Sequence, residues 1–370
     1  MSNKLVALVI TNLAGSGAEK VVLNLFDMFN DRGIDAYIFL LEDEINYDIS
    51  YTQRNKIISL SKNRKYYKLI STLGDKLLSN TLRQELIKIE KTLSKKFDLI
   101  LSNLPAADRV CQYLDNQRNI YYCIHTSYLQ EIQDFKKNGK LKRALKKEKL
   151  YKSIYRNKKL VSVSNGIIDD INKLEVNYES IETIYNPFNF ELIIKKGEDN
   201  LNIDRDNDYI ICASAYRNVK RHDILLKAYK KSNIKEKLLL LCKPFDGLIN
   251  LIKELELDDK VEILGFQKNP YPFIKNAKLL VLSSEREGLP TVLIESLILG
   301  TPVVSTNCIS GPSEILTGSL SKYLAEVNNV DDLASKIYQA MNEDVIIDEK
   351  ELEKFSEDNI IKKYLNLIKE

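Results

Sequence analysis

Two glutamates, Glu287 and Glu295, stand with seven residues between them in the stretch SSEREGLPTVLIESLILGTPVVST, and Gly288, Leu289 and Pro290 form a turn inside that gap. An ionised carboxylate only accepts hydrogen bonds, so acids placed this way suit hydroxyl groups. The preceding KLLVLSS reads as a buried strand, Ser284 to Pro290 as the loop leaving its carboxyl end, and TVLIESLI as a helix stopped by Gly300. Pro290 is expected at the first helical position, where its missing N–H costs nothing. The unpaired amides near Gly288, Leu289 and Thr291, with the positive end of the helix, would seat an anion such as phosphate. Hydroxyls on either side of phosphates describe a nucleotide-sugar.

The elements that must hold such a site follow from alternation. Short β-rich runs (LVALVI, DAYIFLL, FDLILSN, NIYYCIHT, KLVSVS) alternate with helical patterns, and the alternation restarts after a polar stretch with YIICASA, KLLLLCK, VEILG, KLLVLSS and PVVST. This is the pattern of parallel sheets covered by helices. Two Rossmann-like α/β domains are expected, at 1–188 and 205–355, with a closing helix over 356–370. In open parallel sheets ligands sit beyond the carboxyl ends of the strands, so the loops after 10, 125, 213, 242, 265 and 284 are the places to look for chemistry.

Composition narrows the classes. At 370 residues the chain exceeds what one core usually organises, and 44% hydrophobic with 29% charged residues describes a globular protein without a membrane-spanning run. The first residues read as a buried strand rather than a signal peptide, so a cytoplasmic location is expected. Five scattered cysteines with no C-x-x-C pair argue against a disulfide framework or a zinc site, and two histidines are too few for a histidine-based metal centre. Neither a metal nor another cofactor is expected; the nucleotide-sugar is a substrate. The net charge of +3 does not indicate nucleic acid. Locally, however, KKNGKLKRALKKEKLYKSIYRNKK (136–159) carries only Glu148 against its cations, which fits either a solvated helix face or peripheral contact with an anionic membrane surface.

S-x-x-E-G-L-P-x-x-x-x-E-S, followed by G-T-P-V-V-S-T and S-G-P-S-E-I, resembles the signature of the retaining glycosyltransferases of family 4, which have the GT-B architecture. The resemblance implies two Rossmann-like domains facing an interdomain cleft, with the last helix crossing back to the N-terminal domain. It implies a metal-independent transfer of a sugar from a nucleotide donor, most simply a UDP-sugar, to an acceptor hydroxyl of a cell-surface or lipid-linked glycan. Carried over by position, Glu295 binds the ribose hydroxyls and Glu287 contacts the donor sugar. The amides of Gly288, Leu289 and Thr291 meet the diphosphate or sugar, and Lys220 neutralises the diphosphate. Gly17 allows close approach of the backbone, His125 lies beside the sugar, and Gly265 and Phe266 lie where the base sits.

Some positions depart from the family pattern. The usual glycine and arginine ahead of the lysine are Ser214 and Ala215, so Arg217 or Arg221 is expected to supply the second cation. CKPFDG (242–247) replaces a glycine-rich turn and offers Lys243. A nucleotide-sugar epimerase of the same architecture and an inactive nucleotide-sugar-binding subunit are the alternatives. Asp204-Arg205-Asp206 has the D-x-D spacing of a metal-dependent class, yet no strand precedes it and it reads as solvated linker.

Overall fold

The computed structural model describes residues 4–15, 17–61, 72–200 and 208–368; Asp204-Arg205-Asp206 and the expected domain start at 205 lie outside the described residues. The chain divides into two units, Met1–Pro187 with Glu357–Glu370, and Phe188–Ser356. The helix Phe190–Gly197 therefore goes with the second unit.

The first unit is built on seven parallel strands: β1 (Leu5–Ile10), β2 (Asp35–Leu40), β3 (Ile57–Ser59), β4 (Leu99–Asn103), β5 (Ile120–Ile124), β6 (Lys159–Ser162) and β7 (Ser180–Thr183). Their order is β3-β2-β1-β4-β5-β6-β7. The central strands β1 and β4 are buried along their whole length, as a sheet covered on both faces requires. The helix Glu357–Asn366 belongs to this unit: Ile360, Ile361 and Tyr364 join the core cluster of Val6, Leu8 and Phe29, and the Tyr364 ring meets Phe29 edge-on at 5.8 Å. Asn119 fixes its end by donating to the carbonyl of Leu367 at 2.7 Å.

The second unit holds six parallel strands, β8 (Tyr209–Cys212), β9 (Lys237–Leu240), β10 (Val261–Ile263), β11 (Leu279–Leu282), β12 (Val303–Thr306) and β13 (Leu324–Ala325), ordered β10-β9-β8-β11-β12-β13. Each sheet reverses its direction of growth once, between β1 and β4 and between β8 and β11. At such a switch point neighbouring loops leave in opposite directions and open a crevice. Among the described residues no helix is long and apolar enough to cross a membrane.

Behind β4 lies a buried polar network. The two carboxylate oxygens of Asp108 accept from Ser102 Oγ at 2.6 Å and from Tyr155 Oη at 2.7 Å, and Tyr155 Oη lies 2.9 Å from Tyr128 Oη. Burial pushes the Asp108 carboxyl up to about 8, outweighing the opposing bonds from Ser102 and Tyr155. A carboxyl whose folded value is raised favours the native state most at low pH and loses that contribution as pH climbs from the ordinary carboxylate range through 8. We expect the Tm difference between Asp108→Asn and the parent chain to move in favour of the variant between pH 6 and pH 9. Asp108→Ala, which takes the carboxylate acceptor from Ser102 Oγ and leaves Tyr155 Oη with only Tyr128, should cost on the order of 1–3 kcal/mol by chemical or thermal melting.

Candidate functional site

The second unit's switch point brings together two of the residues singled out by sequence. Lys220 leaves β8 on the loop 213–221 and Glu287 leaves β11 on the loop 283–290, and Lys220 Nζ donates to Glu287 Oε1 at 2.6 Å with both side chains largely buried. The loops are also joined by backbone: Glu285 N–H donates to Val219 O at 2.8 Å, and Ser283 Oγ donates to the carbonyls of Lys220 and Arg221 at 2.8 and 3.0 Å. The pair is thus fixed from both sides.

Beyond Glu287 the chain turns into the helix Thr291–Ile298, and Pro290 occupies the N-cap (φ −71°, ψ 93°) rather than the first helical position. The extended ψ at Pro290 aims the chain into the helix from outside, so Thr291 is its first residue. Among the described residues the amides of Gly288, Leu289, Thr291 and Val292 have no hydrogen-bond acceptor, as the start of an uncapped helix leaves them. The turn is set by a residue that the two-glutamate spacing does not reveal. Gly311, at φ +98°, lies so close that a Cβ there would stand 2.4 Å from Pro290 Cδ and 3.0 Å from both Gly288 O and Leu289 Cα. Ser310 Oγ adds a bond to Glu287 O at 2.7 Å. The only sequence trace of this support is the S-G-P-S-E turn.

Glu295 projects from the second turn of the helix and is 5% exposed. Its Oε1 accepts from the phenol of Tyr271 at 3.0 Å. Gly265 takes φ +77°, in the left-handed region that favours glycine, directly after β10's loop begins, and the neighbouring Phe266 ring is 70% exposed.

The second cation resolves differently from expectation. Arg221, itself in a left-handed conformation (φ 48°), is bound by both oxygens of Asp223 at 2.9 and 2.8 Å, by Asn328, and by Glu285 at 3.7 Å. Its charge is consumed in holding loops together. Arg217 and Lys243 are exposed, and the Arg217 side chain has no ion pair among the described residues. Ser214 is buried, with its hydroxyl 3.4 Å from Cys212 Sγ and from His222 Nε2, while Ala215 faces solvent. Burial, reinforced by the nearby Lys220 charge, pushes His222 down to about 4, so it is neutral at pH 7. In the CKPFDG turn the Phe245 ring stacks on Tyr216 at 5.0 Å and packs over Gly247.

In the first unit, His125 follows β5 and its Nε2 lies 2.9 Å from Asn103 Oδ1 at the end of β4. Asn103 is held in turn by donating to Val9 O and Leu101 O at 3.3 and 3.0 Å. Burial pushes the imidazole down to about 4. Gly17 opens the helix Gly17–Asp31, and among the described residues nothing lies within 4 Å of where a Cβ would stand. Local packing therefore does not demand glycine there. The basic run forms parts of two helices, Tyr128–Lys137 and Leu141–Ile154. More acids face it than its own sequence suggests: Lys147 pairs with Glu131 at 3.1 Å, and Lys152 with Glu148 and Glu175 at 3.1 and 3.7 Å. Leu141 and Leu145 remain 57% and 55% exposed, one helical turn apart, beside exposed Lys142, Arg143, Lys146 and Lys149.

Residues 194–360 match the family model described as "Glycosyl transferases group 1". Over 353 residues the chain is 25% identical to the N-acetylgalactosamine-N,N'-diacetylbacillosaminyl-diphospho-undecaprenol 4-alpha-N-acetylgalactosaminyltransferase of Campylobacter jejuni, covering 90% of this chain and 89% of that protein. A shorter match, 33% identical over 129 residues (33% of this chain, 26% of that one), reaches the poly(ribitol-phosphate) alpha-N-acetylglucosaminyltransferase of Staphylococcus aureus. Among solved structures, Anabaena HepE in complex with UDP and glucose superposes with a TM-score of 0.75 at 16% identity, covering 98% of this chain and 99% of that one. The TarM structure from S. aureus with UDP gives 0.70 at 16% identity, covering 99% and 100%. The architecture is GT-B, and together with the family match and the named relatives it supports a glycosyltransferase.

Proposed function

We propose that the chain is a retaining glycosyltransferase that moves a sugar from a UDP-sugar to a hydroxyl of a lipid-linked or cell-surface glycan. The observation that carries this reading is the Lys220–Glu287 contact of 2.6 Å at the switch point of the second sheet. It sets a cation and a hydroxyl-accepting acid side by side, next to a helix start with unpaired amides. The C. jejuni relative, named for a diphospho-undecaprenol substrate, supports the acceptor class, and the UDP in the two neighbouring structures supports the donor.

On this reading Lys220 and the amides of Gly288, Leu289 and Thr291 bind the diphosphate, with Arg217 as the added cation. Glu287 orients the sugar, Glu295 accepts from the ribose hydroxyls, and the exposed Phe266 with Gly265 faces the base. In the first unit, neutral His125 can hydrogen-bond a sugar hydroxyl, and Gly17 leaves its backbone approachable. The acceptor oxygen attacks the anomeric carbon on the face from which the diphosphate departs. The carbon–phosphate oxygen bond breaks as the new glycosidic bond forms, and the acceptor proton passes to the leaving phosphate oxygen. Lys220 stabilises the charge that develops there. No metal has a step in this scheme. The exposed Leu141 and Leu145 with their surrounding cations support peripheral attachment to an anionic membrane face, each near-surface cation contributing about 1 kcal/mol.

Lys220→Ala should lower kcat/KM with a UDP-sugar by about 10²–10³, the range for losing one preorganised electrostatic group. Glu287→Ala should reduce turnover more than UDP affinity, and Glu295→Ala should do the reverse; wild-type transfer by both would refute the site. Gly311→Ala, which must push the 288–290 turn aside, should weaken UDP binding in calorimetry while the first unit melts unchanged. Co-sedimentation with phosphatidylglycerol vesicles should fall sharply in the triple variant Lys142→Glu, Arg143→Glu, Lys146→Glu, and binding that persists would remove the membrane assignment.

A further inference from the structure

Glu295 does not stand alone. Its Oε1 accepts a hydrogen bond from a phenol that is itself buried, Tyr271, 7% exposed and 3.0 Å away. Tyr271 starts the short helix Tyr271–Lys275 between β10 and β11, and its own position is over-determined. Asn269 accepts from the Tyr271 amide at 3.2 Å while donating to Lys196 O and Asp199 Oδ2, both at 2.8 Å. Tyr209 Oη donates to Phe273 O at 2.8 Å and Thr301 Oγ1 to Ile274 O at 2.7 Å, which ties this helix to the start of β8 and to the chain just past the helix that carries Glu295. The bond between the two side chains therefore joins rigid elements, not mobile tips.

A carboxylate on a helix has a broad, nearly two-fold terminal torsion, so a fixed donor on one oxygen sets the plane of the group and the direction of its remaining lone pairs. The same segment that ends in Tyr271 begins with Gly265 and Phe266. One link between two strands thus carries both the ring proposed to face the base and the phenol that aims the acid proposed for the sugar next to that base.

We propose that Tyr271 is a positioning residue for nucleotide recognition, acting through Glu295 to favour a ribose over a 2'-deoxyribose donor. The inference rests on the donor-site reading of Glu295. Its strength should be that of one neutral-to-charged hydrogen bond. Tyr271→Phe removes only the hydroxyl from a ring that keeps its packing.

Calorimetry with UDP and 2'-deoxy-UDP separates the possibilities. In Tyr271→Phe the UDP Kd should rise about tenfold to a hundredfold, the range of one hydrogen bond to a charged group, and the UDP preference over 2'-deoxy-UDP should narrow, with Tm within about two degrees of the parent. Adding Tyr271→Phe to Glu295→Ala should cost nothing further. If Glu295→Ala leaves UDP binding unchanged, or the parent chain binds no UDP, the donor-site reading fails and this inference with it. If Glu295→Ala weakens UDP but Tyr271→Phe keeps both the affinity and the ribose preference, only the role of Tyr271 is overturned. A Tyr271→Phe chain that binds both nucleotides equally more weakly, with a lowered Tm, shows a purely structural tyrosine and overturns it as well.

Discussion

A charged amine and a carboxylate held 2.6 Å apart in a largely buried setting impose a condition on everything around them. Removing either partner would leave the other's charge only partly solvated and without its counter-ion, which costs more than never having the pair. The surrounding chain is arranged to keep both. Ser283 and Glu285 bind the backbone around Lys220, and Ser310 and Gly311 brace the turn after Glu287. Arg221 is used entirely as a strut between the loop after β8, Glu285 and Asn328. The strand order explains why these loops meet: β8 and β11 are neighbours, while the chain that joins them runs out through β9 and β10 and back.

Much of this was legible in sequence because it rests on strong local signals. The buried central strands are unbroken apolar runs, and the Gly-Leu-Pro turn between two acids marks a strand-to-helix junction. What sequence missed lies where those signals fade. The strands β3, β7 and β13 were not anticipated; all are sheet edges, short and only partly buried, so their residues need not be apolar. Pro290 fell one place outside its expected position because a proline at N1 and one at the N-cap leave nearly the same pattern. The second unit takes in the helix Phe190–Gly197, whose sequence neighbours are polar, because Gly197 lets it lie against Leu299 and Lys275.

Roles that depend on long-range partners were the least visible. Nothing near Arg221 in sequence shows that Asn328 and Glu285 would join Asp223 in occupying it. Tyr271 and Glu295 lie on separate elements, and their contact exists only once β10, β11 and the intervening helix have packed. The basic run looked almost unopposed because Glu131 and Glu175, which neutralise part of it, come from outside its limits.

The Phe245 ring of the CKPFDG turn, stacked on Tyr216 of the loop after β8, bears on what holds these two loops together. The turn after β9 presents the Phe245 ring stacked on Tyr216, and Ala215 beside Tyr216 faces solvent. With Phe245 lying over Gly247 and stacked on Tyr216, the loop after β9 is fastened to the loop after β8 by ring contact instead of by charge.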